Sequence, residues 1–271
     1  MAQLANEVAL VTGAGRGFGK AIAVRLAAEG AAVAVMSRSR DQLDAVVSII
    51  EAAGGRAIAV TGDVASPADV DRAVGEVEAR LGPVTLLVNN AGVAGPYGPI
   101  WEVDVEAWWA AQAVHVRAPM LFLHRVLPGM VARDRGRVIV VSAVASRRVA
   151  PYLSAYCTGK IAQNRIVAEA AAELAATSVK VFAIDPGFVF TALANDTMTS
   201  PDARKWLPAM VGRLEEMAAG DGGDADLARC AQRCVDLASG RFDALTGTYM
   251  ELTDDLAAMA GAVGDERAVA A

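Results

Sequence analysis

Short apolar runs recur along this chain at Val8–Thr12, Ala31–Met36, Ala57–Thr61, Leu86–Asn89, Val138–Ser142 and Val181–Ile184. They are rich in Val and Ile and do not alternate polar with apolar residues, so each is expected to be a strand buried on both faces, as in a parallel sheet. Between them lie stretches of helical period: Gly17–Glu29, Arg40–Ala53, Pro67–Leu81, Val105–Met130 and Ala155–Ala176. Strand and helix in strict alternation imply an α/β fold, a doubly wound parallel sheet with helices on both faces and ligands at the carboxyl ends of its strands. Evenly spaced glycines and the lack of a linker or repeat point to one domain over 1–271. The pattern changes after Pro186-Gly187. Residues 188–223 carry Pro201, Trp206, Pro208 and several Met but no clear strand, and read as a helical flap. A helix over Asp224–Ser239, a last strand over Thr248–Leu252 and a loosely ordered tail over 261–271 complete the expectation.

Composition removes several classes of function. The hydrophobic fraction is 54% and the mean hydropathy +0.35, but the excess is alanine interrupted by Arg, Glu and Asp, and no run is long enough to span a bilayer. A net charge of −6 gives no general attraction for nucleic acid. Met1–Glu7 has neither a basic start nor an apolar core, so a cytoplasmic location is expected. The cysteines, Cys157, Cys230 and Cys234, are odd in number, which fits reduced thiols. Cys230 and Cys234 have no neighbouring His to complete a metal site.

The loop Thr12-Gly13-Ala14-Gly15-Arg16-Gly17-Phe18-Gly19 directly follows a strand and opens a helix. The pattern G-x-G-x-x-G fails from Gly13 because Phe18 occupies its third glycine position. Gly13, Gly17 and Gly19 instead form G-x-x-x-G-x-G, which permits a tight turn and close approach of backbone N–H groups to a pyrophosphate. The second strand ends Met36-Ser37-Arg38 without the acid that would hold the ribose diol of NAD. Ser37 and Arg38, with Arg16 closing over them, suit a 2′-phosphate, so NADP is the expected cofactor and NAD the alternative.

Tyr156 and Lys160 lie one turn apart on a helix and share a face. An ammonium beside a phenol favours the phenolate and makes the tyrosine an acid/base. With these residues in register, the chain resembles the short-chain dehydrogenase/reductase family in its single-domain, Rossmann-like form. The matching signatures are Thr12-Gly13-x3-Gly17-x-Gly19, Asp63-Val64, Asn89-Asn90-Ala91-Gly92, Tyr156-x3-Lys160 and Pro186-Gly187-x3-Thr191. The resemblance implies that Asp63 and Val64 contact adenine and that Asn90, Ala91 and Gly92 line the cofactor cleft. It also implies that Val189 and Thr191, beyond Pro186 and Gly187, meet the carboxamide, and that Lys160 holds the ribose hydroxyls. Asp63 as a loop cap and Thr191 as a helix N-cap are alternatives for those two residues.

Two positions depart from the family pattern. The serine that polarises the substrate carbonyl falls thirteen residues before the tyrosine, where this chain has Ala143. Its neighbour Ser142 can substitute only if the strand end is bulged or already turned, because adjacent side chains on a strand point oppositely; otherwise the donor is Tyr156 alone, or another group such as Ser146. The asparagine that braces the lysine through a water aligns with His115, which fits either a proton relay or a packed core position.

Substrate selection is expected from Ala94–Trp101, Ser146–Leu153 and the flap, through Tyr97, Trp101, Tyr152, Phe188, Leu193, Met198, Trp206 and Met210. This lining suits a medium-sized hydrophobic or aromatic ketone or secondary alcohol. The leading expectation is a carbonyl reductase or alcohol dehydrogenase. The alternative is an NADP-binding regulator or scaffold that has lost turnover through Ala143 and His115. The resemblance also implies a homodimer or homotetramer built on helices 105–130 and 155–176.

Overall fold

The computed structural model describes residues 2–220 and 223–270. Its strands are β1 (Val8–Thr12), β2 (Ala32–Ser37), β3 (Arg56–Thr61), β4 (Leu86–Asn89), β5 (Arg137–Val141), β6 (Lys180–Ile184) and β7 (Tyr249–Met250). They form one sheet in the order β3-β2-β1-β4-β5-β6-β7, with every pairing parallel. The sheet has a core on each face, and successive residues of a strand enter opposite cores. Ala9 and Val11 pack on one side and Leu10 on the other, as Val33 and Val35 oppose Ala34 and Met36. Burial on both faces is why these strands read as continuous apolar runs.

One face is covered by α1 (Gly17–Ala28), α2 (Arg40–Ala52), α10 (Asp224–Ala238) and α11 (Leu256–Ala270). The other is covered by α3 (Pro67–Arg80), α5 (Ala118–Ala132) and α6 (Ser154–Glu173). Helix α3 begins as its sequence requires: Ser66 Oγ accepts from Asp69 N at 3.3 Å and Pro67 takes the first turn. Cys230 and Cys234 are buried in the first of these cores.

The expected helix 105–130 is divided. An α segment, α4 (Val105–Gln112), passes into a π turn over Ala113–Arg117 before α5 begins. Residues 188–220 hold three helices, α7 (Ala192–Thr199), α8 (Pro201–Trp206) and α9 (Pro208–Ala219); positions 221 and 222 of the expected flap lie outside the described residues. The stretch expected as a loose tail is helical to Ala270 within α11, and position 271 lies outside the description. Alanine, the best helix former, dominates that segment, and Asp255 Oδ1 starts it by accepting from Ala257 N at 2.9 Å and Ala258 N at 3.1 Å.

Candidate active site

The strand order reverses between β1 and β4, which opens a crevice at their carboxyl ends. Thr12 and Asn90 join the two strand ends. Thr12 Oγ1 accepts from Asn90 N at 3.0 Å and Ala91 N at 3.1 Å, and Asn90 Nδ2 donates to Thr12 O at 2.9 Å. A Cβ on Gly19 would stand 2.4 Å from Gly13 O and 2.5 Å from Asn90 Nδ2, so only glycine lets α1 approach this junction. Gly13 itself has φ +65°. Arg16, at the N-cap of α1, makes no side-chain cap, and the first turn of α1 carries no acid. Its amide groups therefore face the crevice without an internal acceptor from a capping side chain, and a pyrophosphate fits there.

The other expected cofactor residues lie at or beyond the carboxyl ends of β2, β3, β4 and β6. Ser37 ends β2 and its Oγ is 3.2 Å from where a Gly15 Cβ would stand. Arg38 is exposed. Arg16 pairs with Asp196 of α7 at 3.5 Å, both side chains being more than half exposed. Asp63 Oδ1 accepts from Ala65 N at 2.9 Å, a loop-capping bond, while Val64 is buried. Thr191 Oγ1 caps α7 by accepting from Ala194 N at 3.4 Å, and its Cγ2 lies 3.3 Å from where a Gly17 Cβ would stand. Gly187 and the buried Val189 follow Asp185, which was not singled out in the sequence. Its carboxylate accepts from Val144 N at 2.9 Å and Gly187 N at 3.3 Å, joining the loops after β5 and β6. Burial pushes the Asp185 carboxyl above its usual range.

Tyr156 and Lys160 stand together on α6 at the carboxyl end of β5, and the Lys160 ammonium lies 5.5 Å from the centre of the phenol ring. Lys160 is 4% exposed, whereas Tyr156 keeps part of its surface open. Desolvation brings the lysine down to about 7 against the opposing pull of Asp185. Burial first, then the Asp185 charge, push the phenol above its ordinary range. Lys160 Nζ donates to Val141 O at 2.8 Å and to Gln163 Oε1 at 3.1 Å.

Ser142 is not where a substitute carbonyl donor would have to be. The β5–β6 register runs without a bulge from Arg137↔Lys180 to Val141↔Ile184, and Ser142 N continues it by donating to Ile184 O at 2.8 Å. Alternation therefore sends Ser142 to the side of Val138 and Val140, under α6. There its hydroxyl donates to Lys160 O at 3.3 Å and is 1% exposed. Ala143 follows in extended conformation. Ser146, the other serine considered, accepts from Asn164 Nδ2 at 2.8 Å.

His115 lies in the π turn with no exposed surface. Its ring meets Tyr156 edge-on at 5.5 Å between centres, and its Nε2 is 2.7 Å from Val93 O. A carbonyl can only accept, so Nε2 carries the proton and the buried Nδ1 is a bare acceptor with no partner among the described residues. Burial, then the Lys160 charge, hold the imidazole down to about 3. The ring is therefore uncharged near neutral pH.

The aromatic residues expected at the substrate end divide into two groups. Tyr97 Oη and Thr197 Oγ1 are 2.7 Å apart, and Tyr152 lies against Trp206 at 5.2 Å between ring centres, so the 94–101 and 146–153 segments meet α7 and α8. Trp101 is 80% exposed. It borders a cavity of about 560 Å³ with Arg148, Val149, Cys157 and Ile161. Those α6 positions each follow Tyr156 and Lys160 by one residue, about 100° round the helix, so this cavity opens on the adjoining face of the helix. Thr12, Asp185 and Gln163 are the site residues that the sequence reading missed. Thr12 was visible in the glycine-loop signature; the other two have no local pattern.

A family model described as short chain dehydrogenase matches residues 7–202. A short chain dehydrogenase of Pseudocercospora fijiensis is 35% identical over 259 residues, covering 94% of this chain and 82% of that protein. The 2-(S)-hydroxypropyl-CoM dehydrogenase 3 of Xanthobacter autotrophicus is 33% identical over 218 residues, covering 78% and 85%. Among solved structures, a 7α-hydroxysteroid dehydrogenase complexed with NADH and 7-oxo glycochenodeoxycholic acid superposes with a TM-score of 0.78 at 25% identity, covering 92% of this chain and 94% of that one. With the glycine loop, the reversed strand order and the tyrosine–lysine helix already in place, these likenesses identify the chain as a member of the short-chain dehydrogenase/reductase family of NAD(P)-dependent oxidoreductases.

Proposed function

We propose that this protein is an NADP-dependent oxidoreductase of the cytoplasm that interconverts a ketone and a secondary alcohol by hydride transfer. The observation that supports the reading is the pairing of Tyr156 and Lys160 on one helix face, the ammonium 5.5 Å from the phenol ring and bonded to Val141 O at the carboxyl end of β5. The nicotinamide supplies or accepts the hydride. Tyr156, whose phenol burial keeps protonated, donates the proton to the developing alkoxide. Lys160 orients that phenol and holds the ribose. The main chain at the start of α1 receives the pyrophosphate, with Ser37, Arg38 and Arg16 toward a 2′-phosphate, Asp63 and Val64 toward adenine, and Val189 and Thr191 toward the carboxamide. Ser142 braces Lys160 from behind, and His115 fills space. Helices α7–α9 form a flap whose contacts with Tyr97 and Tyr152 favour a medium-sized hydrophobic or aromatic substrate. The names of the relative from Xanthobacter autotrophicus and of the hydroxysteroid dehydrogenase agree with chemistry at a carbinol carbon.

A second reading has its own observation. Ser142 is turned inward and Ala143 has no hydroxyl, so a nucleotide-binding regulator without turnover remains the competing function. Nicotinamide absorbance with NADPH and a panel of hydrophobic ketones decides between them. Turnover that vanishes in Tyr156→Phe while NADPH binding persists supports the enzyme; NADPH binding with no turnover on any ketone supports the regulator. We further propose a homodimer or homotetramer through the apolar outer surfaces of α4, α5 and α6, where Trp109 is 61% and Ile161 54% exposed. A monomer at micromolar concentration in sedimentation velocity would overturn that assignment.

A further inference from the structure

Lys160 is tied to the neighbouring helix by a residue outside every family signature. Gln163, one turn further along α6, is 1% exposed. Its Oε1 accepts from Lys160 Nζ at 3.1 Å, and its Nε2 donates to His115 O at 2.9 Å. Chemistry fixes the direction of this amide, since an ammonium can only donate and a carbonyl can only accept. The carbonyl it takes up belongs to the π turn, where the α ladder is interrupted and Ala118 N reaches back to Ala113 O. An ammonium has three hydrogens. Val141 O and Gln163 Oε1 engage two of them, so the direction of the remaining one is set by the protein.

We propose that Gln163 is a positioning residue for Lys160: its side-chain amide links the ammonium to the His115 carbonyl, fixes where the free N–H points and favours the charged lysine. Its consequence for turnover rests on the function proposed above; the link itself does not. The other titratable groups facing Lys160 are Tyr156 on the same helix, the neutral His115 ring on the π turn, and Asp185 beyond β6. Asp185 favours the ammonium through its charge, while Gln163 does so by direct hydrogen bonding. Burial opposes both, which leaves the amine near 7 and makes its titration sensitive to one acceptor.

The lysines are Lys20, Lys160, Lys180 and Lys205, so ¹³Cε-lysine NMR of the whole protein gives a sparse spectrum in which Lys160→Met identifies the Lys160 signal. Gln163→Met keeps the length of the side chain and removes the acceptor; its Lys160 midpoint is expected to fall by about one pH unit. Gln163→Glu places a carboxylate there, and the midpoint is expected to rise by about one unit. Unchanged midpoints overturn the proposal. Should Gln163→Met not fold, the Glu variant decides alone, a rise supporting the link and no rise overturning it. In the active protein, the pH limb of kcat for alcohol oxidation should move toward higher pH in Gln163→Met, because phenolate formation loses the ammonium. A loss of rate that is uniform across pH would show a merely structural role and overturn the positioning assignment. If the midpoints move but the parent protein turns over no ketone or alcohol, the proposed function fails while the Gln163 link stands.

Discussion

Gly159 and His115 occupy one another's space: a Cβ added at Gly159 would stand 2.5 Å from His115 Cβ, 2.9 Å from its Cγ and 3.1 Å from its Cδ2. The nearest atom is fixed to the backbone of the π turn, so no rotamer change relieves it. Replacing glycine by alanine inside a helix gains about 1 kcal/mol of helix propensity, but forcing a methyl into a packed contact costs about 1–3 kcal/mol. The steric cost wins. Gly159→Ala is expected to lower stability in urea unfolding and to lower turnover, because the displaced turn carries the carbonyl that Gln163 binds. In a His115→Ala background the Cβ contact remains, so much of the cost should persist. A stabilised Gly159→Ala protein would show that the turn gives way freely.

The same imidazole makes acid stability depend on pH in a calculable direction. His115 is held to about 3 in the folded protein, against about 6.5 unfolded. Between those values the unfolded chain binds the additional proton, so stability is fully present above about 6.5 and declines as pH falls toward about 3. The contribution is one proton, about 1.4 kcal/mol per pH unit. His115→Asn should remove that slope from urea-derived stabilities measured between pH 6 and 4. Equal slopes in parent and variant would mean that the ring is protonated in the folded state.

The sheet was legible because its strands are buried on both faces, and burial leaves the same mark in every one of them. The break of helix 105–130 at Ala113–Arg117 was not, since a π turn changes the hydrogen-bond ladder without changing the apolar pattern. The tyrosine, lysine and glycine loop were readable because they sit at short, fixed spacings. Gln163 and Asp185 act across elements: Gln163 spans 48 positions to His115, and Asp185 spans 41 to Val144. No local periodicity carries such pairs. The orientation of Ser142 sat between these cases. Alternation along a strand gave a rule, and the unbroken β5–β6 register decides that the rule applies.

Ala143 and Ser142 can be separated by exchanging where the hydroxyl stands. Ser142→Ala removes a buried bond to Lys160 O and is expected to cost about 1 kcal/mol of stability, with little loss of ketone reduction. Ala143→Ser adds a donor on the opposite side of the chain, at the position the family uses. One carbonyl donor is worth about 10²-fold in rate, so kcat should rise by up to that factor. A large loss of kcat in Ser142→Ala together with no gain in Ala143→Ser would return the carbonyl contact to Ser142.

Cofactor choice should turn on Arg38 and Arg16, for different reasons. Arg38 is exposed beyond β2, where an acid would bind a ribose diol and repel a phosphate. Arg38→Asp therefore exchanges a charge-assisted attraction for a repulsion and should move the ratio of kcat/KM for NADPH over NADH by about 10²-fold toward NADH. Arg16 pairs with Asp196 across exposed surface at 3.5 Å, a contact worth under about 1 kcal/mol, so a 2′-phosphate can take the guanidinium from it. Arg16→Ala should weaken NADPH by about tenfold and NADH far less, whereas Asp196→Ala should strengthen NADPH slightly by releasing Arg16. Equal losses for both cofactors in Arg16→Ala would mean that this arginine meets the pyrophosphate common to the two and does not read the 2′-phosphate.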